Sequence, residues 1–314
     1  TGGSSGIGKM MASGFAQNGA KVYIAARKEK QLQQAVEELN KVATGPKVQY
    51  IVANLNVLMQ LLETIRKADF EQSKKGCDDL IAEFKKHESK LHVLVNNSGI
   101  TWGGPYDNFP EEKGWDNVFA VNVKSIFYSA SRPSTRLATT EVVTVTAGLT
   151  PLLVKDSTNL DPGRVINISS TASVEPAAEG LLSAEGKELG PVRIALGLVF
   201  QILLIIALLD QPSKAAVNHL TSTLAVKLIS SHVTVNAICP GLFPSKMTAF
   251  GFNAAGDETM RKNQPTGRYG HPSDIAGLAL FLSSPAGSHI TGTHILLDGG
   301  SRFNSHGIVP ATKL

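Results

Sequence analysis

Apolar residues along the chain follow two spacings. Short contiguous runs at 21–26 (KVYIAA), 48–53, 91–95, 163–170, 233–238 and 294–297 read as buried strands. Between them lie amphipathic stretches predicted as helices: 9–16, 29–42, CDDLIAEFKKH, the segment after Trp115, and 213–229 with Val217, Leu220, Leu224 and Leu228 on one face. Strand–helix–strand behind a glycine-rich turn is the rhythm of a nucleotide-binding sheet. It predicts an α/β fold with a doubly wound, mostly parallel, Rossmann-like sheet, in a single domain spanning 1–314.

The chain begins TGGSSGIG, with Gly2, Gly6 and Gly8 where a strand would turn into the first helix. Small residues there let the backbone approach a pyrophosphate, which sits among unpaired N–H groups at the helix N-terminus. The motif alone is equally an ordinary glycine-rich loop. It would follow a strand, yet Thr1 is the first residue, so the central first strand is expected to be missing and the sequence to be a fragment of a gene product.

Composition narrows the classes. Among 314 residues, 30 basic and 26 acidic side chains give a net charge of +4, a mild excess spread along the chain that does not call for nucleic acid. Cys77 and Cys239 form no disulfide or metal framework and fit a reducing compartment, hence a cytoplasmic location. The eight histidines show no metal-ligand spacing, so no metal is expected.

An NAD site usually carries an acid for the ribose 2′-OH at the end of the next strand; here it ends Ala26-Arg27. Arg27 is either a solvated surface residue or a partner for a 2′-phosphate, which it would bind by charge and bidentate hydrogen bonding. The strand at 91–95 runs into Asn96-Asn97-Ser98-Gly99. Trp115, Phe119, Asn122 and Ile126 recur at spacings of four, three and four, so an amide interrupts an apolar helix face. GRVINISS ends in two hydroxyls, and Lys214 stands in the first turn of its helix, against the dipole.

TGxxxGxG followed by NNSG resembles the short-chain dehydrogenases/reductases, most closely their 3-oxoacyl reductase branch. The likeness runs through VLVNNSGITWGG, GWDNVFAVNVKSIF, RVINISS, VNAICPGLFPSKMT and GRYGHPSDIAGLALFLSS. It implies NADP(H)-dependent reduction of a ketone, plainest as a 3-oxoacyl thioester, or the reverse oxidation, by a homodimer or homotetramer. In that pattern Asn122 holds a water of the proton relay, where a satisfied core Asn is the plainer alternative. Ser170 hydrogen-bonds the carbonyl or alcohol, where a serine turn is the alternative. Lys214 binds the nicotinamide ribose and lowers a neighbouring phenol's pKa. Gly2, Ser4, Ser5, Gly6, Ile7 and Gly8 would line the dinucleotide, with Arg27, Asn54, Leu55, Asn97, Ser98 and Gly99. Pro240, Gly241, Phe243 and Ser245 match the loop against the nicotinamide amide, and Asp298-Gly299-Gly300 matches the family's usual ending.

The pattern breaks at position 210. The family's proton-donating Tyr stands four residues before the Lys, and here that residue is Asp210. Three stretches look foreign, near 56–75, 129–145 and 186–209; without them about 250 residues remain, an ordinary domain size. The reading adopted is that they are retained introns translated in frame and that Asp210 is a junction artefact; lineage-specific loops are the alternative. The apolar run Ile194 to Leu209 falls short of the roughly 20 residues needed to span a bilayer. A membrane-anchored variant and an inactive nucleotide-binding or mis-spliced product stand as the competing readings.

Overall fold

The computed structural model describes residues 1–55, 72–102, 110–127, 145–174, 211–249, 252–253, 256–262 and 264–304. Asp210 and most of the three foreign-looking stretches lie outside them. Of those stretches, 72–75 continue a helix that runs to His87, and Val145 opens another with 1% of its surface exposed.

Helix α1 (Gly6–Gln17) begins inside the glycine turn, three residues earlier than its periodicity predicts. It leads to β1 (Tyr23–Ala26), α2 (Glu29–Asn40), β2 (Gln49–Val52), α3 (Gln72–His87) and β3 (Val93–Asn96). Helix α4 (111–127), α5 (Val145–Val154), β4 (Gly163–Ile168), α6 (211–228), β5 (Val233–Pro240), α7 (Pro272–Ser283) and β6 (His294–Leu297) complete the layers. Among the described residues all strand pairs are parallel, in two sheets ordered β1-β2 and β3-β4-β5-β6. Thr1 and Gly2 bond to both: the Thr1 nitrogen donates to the Val95 carbonyl (2.7 Å) and the Gly2 N–H to that of Ala25 (2.7 Å).

Successive strand residues point to opposite faces, which is how contiguous apolar runs fill two cores at once. Val165, Val233 and Val235 pack on one face with Leu80 and Phe84 of α3, Leu149 of α5 and Leu220 of α6. Ile166, Ile168 and Ile238 pack on the other with Met11 of α1 and Ile275 of α7. Helices thus cover both faces of a parallel sheet, the doubly wound arrangement expected. A buried polar line crosses it: Asn96 donates to Asn167 (2.9 Å), and Asn167 to Thr221 of α6 (2.9 Å).

Helix α4 departs from the expected single face. Two of its segments, Glu111–Asp116 and Ala120–Lys124, are π-helical. The wider turns advance less per residue, so the stripe drifts. Trp115 is rolled outward, 46% exposed and stacked on Phe119, while Asn122 and Ile126 stay buried.

Candidate active site

The carboxyl ends of the strands open onto a cleft of ≈ 510 Å³, the crevice where such sheets take their ligands. Its floor is the glycine turn. Gly2 and Gly6 have positive φ (64° and 55°), and Ser5 is the N-cap of α1 without using its side chain as the cap. No acid stands in the first turn of α1, so its N–H groups face the cleft with their positive end of the helix dipole unopposed.

The NNSG segment props this turn. Asn97 Nδ2 donates to the Gly2 carbonyl (3.2 Å), and the N–H groups of Asn97 and Ser98 donate to Thr1 Oγ1 (3.1 Å each). Ser4, Ile7, Arg27, Leu55, Ser98 and Gly99 all reach the wall, as do Pro240, Gly241, Phe243 and Ser245 across from them. Two of the residues assigned to the cofactor do not. A Cβ on Gly8 would stand 2.4 Å from both Asn97 Nδ2 and the Gly2 oxygen, so Gly8 lies behind the turn and lets it close on Asn97. Asn54 is exposed outside the wall, its carbonyl packed against Gly76 of α3.

Asn122, Ser170 and Lys214, 92 residues apart at the extremes, are brought to one end of the cleft. Ser170 and Lys214 line it directly; Asn122 stands just behind, since a Cβ on Gly99 would lie 3.3 Å from Asn122 Oδ1 and 3.4 Å from Lys214 Nζ. Lys214 is 9% exposed; its ammonium donates to the Ile168 carbonyl (3.0 Å), and its own carbonyl accepts from Ser169 Oγ (3.0 Å). Asn122 clamps the loop after β3: Oδ1 accepts from Ile100 N–H (2.8 Å), while Nδ2 donates to the Ile100 carbonyl and Ser213 Oγ (3.0 Å each). Both amide protons are therefore engaged by protein, leaving one Oδ1 lone pair for a water. Ser170 Oγ accepts the Ala172 N–H (3.2 Å).

Residues that the sequence reading passed over also line the cleft, notably Lys28, Lys246 and Met247. The adjacent Arg27-Lys28 pair was the available signal for the first. With Lys214, four cationic side chains and no carboxylate stand on the described wall, a surface suited to an anionic ligand. Among the described residues no tyrosine lines it, and no group of His, Cys, Asp or Glu is placed to hold a metal ion.

Residues 1–182 match the family described as short chain dehydrogenase, and residues 209–302 that described as Enoyl-(Acyl carrier protein) reductase. The rhamnolipids biosynthesis 3-oxoacyl-(acyl-carrier-protein) reductase of Pseudomonas aeruginosa is 31% identical over 96% of this chain and 93% of its own length. An NAD-dependent glycerol dehydrogenase of Listeria innocua is 28% identical over 96% and 91%. The solved Pseudomonas aeruginosa RhlG/NADP active-site complex superposes with a TM-score of 0.71 at 31% identity, over 96% of this chain and 94% of that one.

Proposed function

The chain belongs to the short-chain dehydrogenase/reductase family, and from that premise we propose that its cleft holds NADP(H) and takes a ketone, a 3-oxoacyl thioester by class, or the matching secondary alcohol. One observation carries the reading: Ser170, Lys214 and Asn122 meet at one end of a cationic cleft whose other end is an open helix N-terminus. The α1 N–H groups would receive the diphosphate, and Arg27 with Lys28 a 2′-phosphate, by the charge-assisted bonds that guanidinium and ammonium make with phosphate oxygens. The Pseudomonas relative, a 3-oxoacyl reductase by name and solved as an NADP complex, supports both halves of the assignment.

When bound, the nicotinamide supplies a hydride equivalent to the carbonyl carbon, or accepts one from the alcohol. The Ser170 hydroxyl donates to the carbonyl oxygen and holds it in place. The Lys214 ammonium adds positive charge beside that oxygen and favours the developing alkoxide. Asn122 holds the Ile100 loop and the start of α6 together, so the lysine and the strand ends keep their spacing. The proton itself needs a donor, and the phenol the family uses is replaced in sequence by Asp210. A carboxyl with a reference pKa of about 3.9 is an anion at neutral pH and cannot donate. We therefore assign this chain dinucleotide binding with impaired turnover. The test is a fluorescence titration of the purified chain with NADPH and NADH. Saturable binding with NADPH preferred is expected; no binding of either, or tighter NADH, would remove the assignment.

The same reading makes the chain a cytoplasmic homodimer or homotetramer. Its two cysteines, free and buried, suit a reducing compartment, and apolar surface for a second copy is left by β6, whose four residues are all part-exposed, and by Phe281 of α7, 42% exposed. Among the described residues no helix is long and apolar enough to cross a membrane.

A further inference from the structure

Past Ser170 the chain makes one 3₁₀ turn, Thr171–Ser173, and that turn is tied to α6. Ser173 Oγ donates to the Ser170 carbonyl (2.5 Å) and accepts from Asn218 Nδ2 (2.7 Å). Asn218 lies one helical turn after Lys214, on the same face of α6, and is 7% exposed. Its amide orientation is fixed from the other side, because Oδ1 accepts from Cys239 Sγ of β5 (3.6 Å). Burial pushes the Cys239 thiol pKa up, so the sulfur keeps the proton it donates. The Asn218 carbonyl is anchored in turn by His294 Nε2 of β6 (2.8 Å).

The consequence falls on one proton. Ser170 Oγ accepts from the Ala172 N–H, and its main-chain carbonyl is held by Ser173. With one of its two acceptor sites filled from within the turn, the oxygen keeps its hydrogen and a single lone pair for the cleft, which biases the hydroxyl toward donating. We propose that Asn218, acting through Ser173, is a positioning residue that holds Ser170 as a hydrogen-bond donor toward the substrate oxygen. This rests on the reading of Ser170 as the residue that meets the carbonyl. Neither Ser173 nor Asn218 lines the cleft, so neither touches dinucleotide or substrate there.

Two measurements separate this inference from the reading beneath it. The first needs no ligand: amide hydrogen exchange at Ala172, whose N–H reports the Ser170 bond, in the full chain and in Ser173→Ala and Asn218→Ala. Exchange at Ala172 should quicken about tenfold or more in both variants, while amides of β4 and β5 keep their protection. Unchanged exchange at Ala172 would overturn the inference. The second is binding of an acetoacetyl thioester to the NADP⁺-saturated chain, a pair that cannot react because both are oxidised. Each variant should bind the thioester roughly 3- to 10-fold more weakly, the range of one hydrogen bond, with NADP⁺ affinity unchanged and Ser173→Thr within twofold of the parent. In a Ser170→Ala background the same substitutions should have no further effect. Losses that persist there would show general damage and overturn the positioning role. If the parent chain binds NADP⁺ but no thioester, the ketone reading fails, and the exchange result still decides the tether.

Discussion

Gly8 is a position in the glycine turn that has no room for a methyl group. Its Cβ would meet the Gly2 carbonyl oxygen and the Asn97 amide at 2.4 Å, both held by the contacts that close the turn. Gly8→Ala should therefore destabilise the chain by roughly 1–3 kcal/mol, the range for overpacking, with the loss read from urea unfolding. An unchanged midpoint would mean the turn has room to move. Arg27 is the opposite case, an exposed side chain whose removal should cost no stability and change only recognition. A charge-assisted hydrogen bond to phosphate is worth about 1.5–3 kcal/mol, so Ala26→Asp with Arg27→Ala should weaken NADPH binding tenfold or more and move preference toward NADH. Titration of both dinucleotides checks it. A variant that still preferred NADPH would place 2′-phosphate recognition elsewhere, with Lys28 and Lys246 as the remaining cations on the wall.

At the scale of elements, α7 is held at its start by a capping box. The His271 N–H donates to Asp274 Oδ2 (2.8 Å), and Arg268 grips the same carboxylate through two nitrogens (2.6 and 3.1 Å). The Arg268 guanidinium holds the Asp274 carboxyl below its ordinary pKa. A carboxyl depressed on folding stabilises fully above its unfolded value of about 3.9, and that contribution drains as pH falls through the lower folded value. Asp274→Ala should cost about 1 kcal/mol at neutral pH, with the gap to the parent chain narrowing below about pH 4 in urea unfolding. A gap independent of pH would deny the ion pair a part. This cap was readable in advance, since His-Pro-Ser-Asp before an apolar run is a helix start, yet the sequence reading left the segment unassigned. Strands were legible because buried parallel strands are contiguous apolar runs, although β5 continues through Pro240, two residues past its apolar stretch. The π turns of α4 were not legible, because a wide turn changes the phase of a pattern without changing its composition. Of the site, the Asn122–Ser170–Lys214 grouping was carried by motif likeness. That Gly8 packs behind the turn was not legible, because a glycine kept for packing and one kept for a ligand look alike in sequence.

For the molecule as a whole, the proposed function turns on the foreign-looking stretches and on position 210. Residues 72–75 lie in α3 and Val145 is buried at the start of α5, so an excision that tests the intron reading should spare both. A chain without 56–71, 129–144 and 186–209 should unfold in one cooperative transition and stay soluble, whereas the full chain should melt lower and associate through the apolar run at 194–209. Equal melting and solubility would speak for native loops instead of retained introns. The most direct test of the central claim, a cleft ready for NADPH and ketone but lacking its proton donor, is turnover of an acetoacetyl thioester at saturating NADPH. The purified chain should be slower by roughly 10²–10⁴-fold than one carrying Asp210→Tyr with 186–209 removed, and Asp210→Tyr alone should recover little. Near-equal turnover by the unaltered chain would contradict the account and require another acid in the cleft.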